Sequence, residues 1–335
     1  MTGVILLNLG GPDSLEAVEP FLYNLFSDRQ IIRLGPPFLQ KPLAWLISKL
    51  RSHKTMKMYS QIGGKSPILD ITRAQAKALE EALNARSNSA QAFKVFIGMR
   101  YWRPFTEEVV EQIARDGIKK VIGLSLYPQY SVTTSGSSIS QFRRAAAGLA
   151  MEIITVESWY NHPLYIEALV EAIKTGLASF QSSRQDAGPS VFSHQPSALN
   201  GVHVLFSAHS LPQKIIDQGD PYVDQTIGTI KEIEKRLPMT WHLSYQSKSG
   251  PVKWLEPSTE DKLGELAKAG IKNVLVVPIS FVSDHIETLY EIDILYKDLA
   301  RRLDISLKRT ESLNTHPMFI QAMRDIVLRS LENAP

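Results

Sequence analysis

Apolar, β-branched segments alternate with amphipathic segments along the whole chain, and this alternation restricts the fold more than any other feature. Segments with the pattern of buried strands lie at 4–10, 93–99, 120–128, 152–158, 202–208, 241–245, 273–281 and 305–312. Between them, stretches such as 106–117 and 259–270 repeat apolar residues with the period of a helix. Continuous apolar strands separated by amphipathic helices are typical of parallel sheets with helices on both faces. The sequence therefore predicts an α/β protein.

Two parts of this pattern occur twice. The similar segments are RDGIKKVIGL (115–124) with KAGIKNVLVV (268–277), and ESWYNHPLYIEAL (157–169) with ESLNTHPMFIQAM (311–323). We interpret them as a duplication that gives two tandem Rossmann-like domains; the alternative is chance similarity between two domains of one architecture. The domains are expected at 1–160 and 161–335, with the last helix able to pack back on the first. The polar stretch 181–201, rich in Pro, Gly and Ser, is interpreted as the linker between the halves.

Segment 28–65 has no counterpart in the second half, and we interpret it as an insertion. Its apolar residues cover too much of a helix to form a narrow amphipathic stripe, and basic residues follow them. The apolar residues are Phe38, Leu39, Leu43, Trp45, Leu46, Ile47 and Leu50, and the basic ones are Lys49, Arg51, Lys54 and Lys57. Burial in the core is one interpretation. We favour an exposed apolar lip that contacts a membrane surface, because an insertion has no reserved place in a core shared by two halves.

The charge balance and the absence of cysteine exclude several kinds of function. The chain has 37 basic and 34 acidic residues and a net charge of +3, too small to indicate nucleic-acid binding. It contains no Cys, which excludes disulfides, thiolate zinc sites and Cys-ligated iron–sulfur clusters. No apolar run approaches the ~20 residues of a transmembrane helix, and a strand pattern begins at Gly3 in place of a signal peptide. We therefore expect a cytoplasmic location.

Chemically active side chains follow two predicted strands at the point where each strand ends. His209 follows one of them, and Asp284, His285 and Glu287 follow the other. The carboxyl ends of parallel strands are where open α/β sheets bind ligands, so these side chains are expected to share a site. Imidazole and carboxylate can hold Fe²⁺ or Zn²⁺, or transfer protons. Only two strong protein ligands are evident, an imidazole and a carboxylate, which predicts a loosely held metal.

The same residues also have structural alternatives. A lone His at a strand end often makes only a structural hydrogen bond, and Glu287 could fold back on the backbone in a capping box. Against this, Asp284, Glu287 and Glu291 have helical spacing and would stack along one helix face. Stacked like charges are unfavourable unless a cation or protons occupy the stack, which favours a site.

The first half supplies a different kind of lining. Arg100 and Tyr101 follow the second predicted strand, and Tyr127 lies at the end of the third. In the second half, Trp254 and Phe281 add aromatic surface. These residues together favour a large, planar, apolar ligand that bears a few acidic groups, with a metal approaching one of its faces.

With these residues in view, the chain resembles the ferrochelatase family, whose members insert Fe²⁺ into protoporphyrin IX to make protohaem. SAHSLP and SDHIETLYE are its most specific motifs, and further matches span nearly the whole chain in the family's order. These matches are NLGGP (8–12), FLYNLFSDR (21–29), YSQIGGKSPI (59–68), GMRYWRPFTEE (98–108), YPQYSVTTSGSS (127–138), QGDPY (218–222) and QSKSGPVKWL (246–255). The resemblance implies a chelatase-like fold and a lyase that performs the last step of haem biosynthesis.

The resemblance also implies roles for single residues. His209 and Glu287 match the family's metal-site pair, which makes them the expected catalytic residues and metal ligands. Asp284 and His285 match the residues beside that Glu and are expected to take part in catalysis, and Glu291 matches the next acid. Positions that match porphyrin contacts are Arg51, Tyr59 and Ser66, and positions that match the wall opposite the His are Arg100, Tyr101 and Tyr127. We add Trp254 as a porphyrin contact.

Two features separate this chain from parts of the family. Animal members carry a cysteine-rich extension with a 2Fe–2S cluster; without Cys, we expect no cluster and no tightly bound cofactor, with Fe²⁺ as substrate. Some bacterial relatives lack most of the lip and act on coproporphyrin, whereas the lip is present here. The expected partners are therefore protoporphyrin IX, ferrous iron and, through the lip, the cytoplasmic face of a membrane, with no nucleic acid. Insertion into coproporphyrin, cobalt or nickel insertion into a more polar tetrapyrrole, and non-catalytic tetrapyrrole binding are the alternatives.

Overall fold

Two four-stranded parallel sheets form the framework of the computed structural model, which describes residues 1–85, 92–182 and 201–332. The strands are β1 (Thr2–Asn8), β2 (Phe93–Met99), β3 (Lys120–Ser125), β4 (Glu152–Val156), β5 (Val202–His209), β6 (Trp241–Gln246), β7 (Asn273–Pro278) and β8 (Ser306–Arg309). The first sheet has the order β2-β1-β3-β4 and the second β6-β5-β7-β8, with every pairing parallel. Each predicted segment overlaps one of these strands, so the predicted fold class is confirmed. The two halves also share one strand order.

Helices connect the strands and cover both sheets. They are α1 (Val18–Ser27), α2 (Gln40–Ser60), α3 (Ile68–Asn84), α4 (Thr106–Arg115), α5 (Ser135–Ala146), α6 (Pro163–Ser182), α7 (Gln213–Asp217), α8 (Tyr222–Arg236), α9 (Thr259–Lys268), α10 (Lys297–Arg302) and α11 (Pro317–Glu332). A 3₁₀ turn (Pro37–Leu39) precedes α2, and a π-helix (Glu287–Tyr296) precedes α10. The π-helix has wider turns than the α-helix that its sequence pattern predicts, and such segments often occur at functional sites.

The two halves share one hydrophobic core. Successive side chains of β1 point to opposite faces of the first sheet. Ile5 and Leu7 pack on one face with residues of α4 and α5. Val4 and Leu6 pack on the other face, in a core that continues to Phe206 of β5. Because this central core is continuous, the two sheets are held against each other by buried apolar surface.

The last helix lies at the junction of the halves. Helix α11 packs against α6 and also contacts α3 and β4 of the first half. Helix α6 leads from the first sheet toward the second and ends at Ser182. Residues 183–200, which make up most of the predicted linker, lie outside the described residues.

The lip, residues 28–65, turns large apolar side chains away from the protein. Small residues at four-residue spacing, Ala44, Ser48 and Ser52, are buried on one side of α2, which packs closely against α1. The exposed fractions are 76% for Phe38, 72% for Leu50, 53% for Trp45, 46% for Leu46 and 38% for Leu39. Of the two interpretations of this segment, exposure is therefore the correct one for these side chains. Within the described parts of the chain, no helix combines the length and the apolar character needed to cross a membrane.

Candidate active site

The carboxyl ends of strands from both sheets meet between the two halves. A cavity of about 30 Å³ lies at this meeting point. Its lining includes Leu9 after β1, Tyr127 after β3, and Phe281, Ser283 and His285 after β7. This space is enough to hold a water molecule, and its lining draws on strand ends of both halves. His285 lines this cavity directly, and Ser280, which also lines it, accepts a hydrogen bond from the backbone N–H of His209 over 3.2 Å.

His209 and Glu287 lie in direct contact, as their positions after neighbouring strands predicted. His209 is the last residue of β5, and Glu287 begins the π-helix after β7. The imidazole Nδ1 lies 2.9 Å from the carboxylate Oε2. The side chains are 31% and 15% exposed. Glu287 therefore faces an imidazole and does not fold back as a helix cap.

The two groups form an ion pair. Burial by itself would lower the pKa of His209, but the charge and hydrogen bond of Glu287 raise it above its ordinary value. Burial by itself would raise the pKa of Glu287, but the charge and hydrogen bond of His209 lower it to about 2. Both shifts favour a protonated imidazole beside a carboxylate at neutral pH. The pair thus holds one proton, on His209. An imidazole that binds a metal must be neutral, so this proton would have to leave before His209 could act as a ligand.

A serine that the sequence analysis had not singled out links Glu287 to a second acid. Ser247 Oγ lies 2.8 Å from Glu287 Oε2 and 2.6 Å from Glu291 Oε2. One hydroxyl proton cannot serve two carboxylates, so one of the acids must itself donate. Burial and the negative charge of Glu287 raise the pKa of Glu291 to about 8, which identifies Glu291 as the protonated acid. Ser247 has a φ of 67°, a backbone conformation that is uncommon for a serine. The residues around it in the sequence therefore did not indicate that its side chain would point at the two acids.

His285 presents an unpaired nitrogen to the same region. Its Nδ1 lies 3.1 Å from the carbonyl oxygen of Ser283, which can only accept, so Nδ1 carries the proton. Its Nε2 is buried without a hydrogen-bond partner and lies 4.0 Å from Glu287 Oε1. Burial lowers the pKa of His285, which keeps the ring neutral. The ring of Phe281 packs against it, with the centroids 4.1 Å apart. The neutral Nε2 could accept a proton or bind a cation.

Asp284 has different partners from those expected. Its oxygens accept hydrogen bonds from Thr288, Arg309, Ser312 and Asn314. Burial by itself would raise the pKa of Asp284, but Arg309 and these donors lower it. Of the three acids predicted to stack, only Glu287 and Glu291 share a partner. Asp284 is engaged elsewhere because a strong cationic donor on β8 lies within reach.

The expected wall of the first half is held together by an acid that sequence reasoning missed. Arg100 Nη2 lies 2.5 Å from Asp28 Oδ2, and the Tyr101 hydroxyl donates to the same oxygen over 2.7 Å. Arg100 and Tyr101 are both buried. Tyr127, also buried, contributes to the cavity lining, and burial raises its pKa. Of these residues, Tyr127 is the one that lines the cavity.

The predicted porphyrin contacts are divided between the surface and the interior. Arg51 is exposed on α2 and donates to Ser249 Oγ of the second half over 2.6 Å, with its guanidinium above the Phe26 ring. Trp254 is half-buried in the segment that follows Ser249. Tyr59 and Ser66 are buried. A Cβ at Gly11 would lie 2.5 Å from Ser66 Oγ, so the Gly11–Ser66 contact depends on a glycine.

Comparison with known proteins connects this geometry to a family. The family model described as "Ferrochelatase" matches residues 1–331. The chain is 50% identical over 336 residues to a ferrochelatase of Geotalea uraniireducens (strain Rf4), covering 99% of this chain and 98% of the relative. It is 50% identical over 333 residues to a ferrochelatase of Geobacter metallireducens, covering 98% of each chain.

A solved structure has the same fold at low sequence identity. The chain superimposes on a structure of SirB from Bacillus subtilis with Fe³⁺ at a TM-score of 0.53 and 12% identity. The match covers 99% of this chain and 96% of SirB. At this identity the likeness concerns the fold alone.

Proposed function

The chain belongs to the ferrochelatase family, and from this premise we propose that it inserts ferrous iron into protoporphyrin IX at the centre formed by His209 and Glu287. The chain is therefore a metal chelatase, a lyase of haem and porphyrin biosynthesis that uses iron. One observation carries the choice of centre. The imidazole at the end of β5 and the carboxylate that begins the π-helix after β7 lie 2.9 Å apart, and Phe281, whose ring contacts the imidazole, lines a cavity between the halves.

Insertion replaces two pyrrole protons with one Fe²⁺, so the centre must offer ligands to a cation and also accept protons. An imidazole binds a metal only in its neutral form, whereas His209 is protonated in the ion pair with Glu287. Fe²⁺ and a proton therefore compete for His209. In the proposed reaction His209 gives up its proton when the cation binds, the ionised Glu287 is available to the cation or to a pyrrole proton, and the neutral Nε2 of His285 lies 4.0 Å from Glu287 Oε1.

The released protons need a route away from the macrocycle. Ser247 bridges Glu287 and Glu291 with contacts of 2.8 and 2.6 Å, which makes the three side chains a continuous hydrogen-bonded line. Glu291 holds a proton because it is buried and because Glu287 beside it is charged. When Glu287 gains a proton its charge is lost, and Glu291 then releases its own proton more easily. We propose that protons leave along this line.

The exposed lip supports protoporphyrin IX as substrate and a membrane surface as its source. Protoporphyrin IX is apolar except for its two propionates. Phe38, Trp45 and Leu50 give the lip an apolar outer face, and exposed basic residues follow on α2. Such a surface binds the interface of a membrane with anionic headgroups. We propose peripheral attachment on the cytoplasmic face, with the exposed Arg51 meeting a propionate; Tyr59 and Ser66, the other two expected contacts, are buried.

The test is the removal of the imidazole. His209→Ala should reduce metal insertion by about a hundredfold or more while protoporphyrin binding stays within threefold, because the macrocycle is held by other residues. Insertion is followed by the fluorescence change when Zn²⁺ is offered with protoporphyrin, and binding by quenching of tryptophan fluorescence. His53→Ala, at an exposed His of α2, is the matched control.

Two outcomes would contradict the proposal. Turnover of His209→Ala close to that of the parent protein would remove His209 from the centre. A parent protein that accepts coproporphyrin in preference to protoporphyrin would leave the centre intact and replace the proposed substrate.

A further inference from the structure

Arg309 lies at the end of β8 and binds two acids on either side of Glu287. Its Nε and Nη2 donate to the two oxygens of Asp293, over 2.9 and 2.7 Å. Its Nη1 donates to Asp284 Oδ1 over 3.0 Å and to the carbonyl oxygen of Thr310 over 3.0 Å. The Arg309 side chain is only 10% exposed. A buried guanidinium with charged, partly bidentate partners fixes their positions strongly.

The two acids are the ends of one segment. Asp293 belongs to the π-helix itself, six residues after Glu287, and Asp284 belongs to the turn that leads into it. Asp284 also accepts from Thr288 Oγ1 over 2.9 Å, and Thr288 is the residue next to Glu287. Arg309 therefore bonds the π-helix through Asp293 and the turn before the π-helix through Asp284, on either side of Glu287.

Ser312 and Asn314 complete the anchoring of Asp284. They donate to its two oxygens over 2.8 and 2.9 Å, so the carboxylate has four donors. A carboxylate with this many donors is held in one orientation and remains ionised. Arg309, Ser312 and Asn314 connect it to β8 and the segment after it, Thr288 connects it to the π-helix, and none of these four bonds involves His209 or Ser247. Asp284 thus serves as an anchor.

We propose that Arg309 is a positioning residue that keeps segment 287–296 in its π-helical form, so that Glu287 and Glu291 both reach Ser247. A π-helix is rare and costs free energy relative to an α-helix, so tertiary contacts must maintain it. The α-helix has fewer residues per turn, and relaxation to it would rotate Glu291 relative to Glu287. The two acids would still share one face of an α-helix, but their offset along it would change, which would lengthen the Ser247 contacts of 2.8 and 2.6 Å. This inference rests on the proposed insertion centre and adds a residue that touches neither iron nor porphyrin.

The experiment compares two variants that weaken the contacts of Arg309 with Asp284 and Asp293. Neither variant leaves a buried charged group without a partner of opposite charge. Asp293→Asn keeps a side chain of the same shape, and Asp293 is 36% exposed, so this variant should fold. Arg309→Lys keeps the positive charge but can bond only one acid closely. Zn²⁺ insertion is measured with the full chain, with separate kcat and KM for metal and protoporphyrin, together with hydrogen exchange of segment 287–296.

Both variants should lose about tenfold to a hundredfold in kcat, the range for a small displacement of reacting groups, with the protoporphyrin KM within twofold. Hydrogen exchange within 287–296 should become at least tenfold faster. Arg301→Met is the matched control, since Arg301 pairs with Asp298 on α10 at the protein surface, with 73% and 56% of the side chains exposed. It should change neither kcat nor exchange in 287–296.

The outcomes separate this inference from the proposed function. A parent protein without insertion activity would refute the proposed function itself. An active parent whose folded Asp293→Asn and Arg309→Lys variants keep kcat within twofold would overturn the positioning role, even if both melt earlier. A kcat loss of equal size in Arg301→Met would overturn it as well. If Arg309→Lys does not fold, Asp293→Asn decides.

Discussion

Replacing Glu291 by Gln should stabilise the protein while it slows metal insertion. Burial and the charge of Glu287 raise the pKa of Glu291 to about 8, against an ordinary value of 4.5. At pH 7 the unfolded chain carries an ionised Glu291, and folding must protonate it. For a carboxyl with these two pKa values that step costs about 3 kcal/mol at pH 7. A glutamine needs no proton, and its amide can still donate to Ser247.

The raised pKa of Glu291 also determines how the free energy of unfolding changes with pH. Because the folded pKa lies above the unfolded one, the carboxyl costs nothing below pH 4.5, and stability is lost as the pH rises from 4.5 toward 8. The advantage of Glu291→Gln in free energy of unfolding should therefore be below ~1 kcal/mol at pH 5, about 3 kcal/mol at pH 7 and largest at pH 8.

Urea unfolding followed by tryptophan fluorescence at pH 5, 7 and 8 checks this prediction. Glu111→Gln, at an exposed position of α4, is the control and should show no such trend. In the same samples Zn²⁺ insertion by Glu291→Gln should fall at least about tenfold, because a proton carrier is lost. An advantage of the same size at all three pH values, or destabilisation at pH 8, would refute the assignment of the shared proton to Glu291.

Two further predictions concern the lip and the glycine-rich turn after β1. Trp45→Glu combined with Leu46→Glu should abolish co-sedimentation with anionic vesicles. Ser60→Glu with Gln61→Glu makes the same charge change at the polar end of α2 and should keep most of the co-sedimentation. Equal retention of both variants would count against a lip that contacts the membrane. Gly11→Ala should lower the free energy of unfolding in urea by about 1–3 kcal/mol, because the new Cβ would lie 2.5 Å from Ser66 Oγ. Gly264→Ala, whose Cβ would have no atom within 4 Å, should be neutral or slightly stabilising. Equal effects of the two substitutions would contradict the close-contact argument.

Much of the fold was accessible from the sequence, because it depends on short-range patterns. The alternation of apolar strands and amphipathic helices predicted parallel sheets, and eight strands lie where the pattern indicated. His209 and Glu287 were expected to meet because each follows an apolar strand, and parallel strands end at one edge. The lack of a counterpart to 28–65 predicted an exposed lip, and Phe38, Trp45 and Leu50 are exposed.

Partner choice within the site was not accessible in this way. Asp284 was expected to stack with Glu287, but it binds Arg309, which lies 25 residues further along the chain. Ser247 reaches both acids only because β6 pairs with β5 and the backbone takes a positive φ at this position. Helical spacing describes an ideal α-helix, whereas the segment after Glu287 is a π-helix.

The sequence alone determined the architecture, the position of the imidazole and the acids at strand ends, and the apolar character of the lip. These properties follow from the order of residues along one element, and neighbouring residues carry the whole signal. The tertiary structure decided that Glu291 is the protonated acid beside Ser247 and that Asp284 binds the guanidinium of Arg309. It also decided that Glu287 and Glu291 lie in a π-helix and not in an α-helix. Each of these depends on competition between donors and acceptors that are distant in the chain, and their distances exist only in the folded protein.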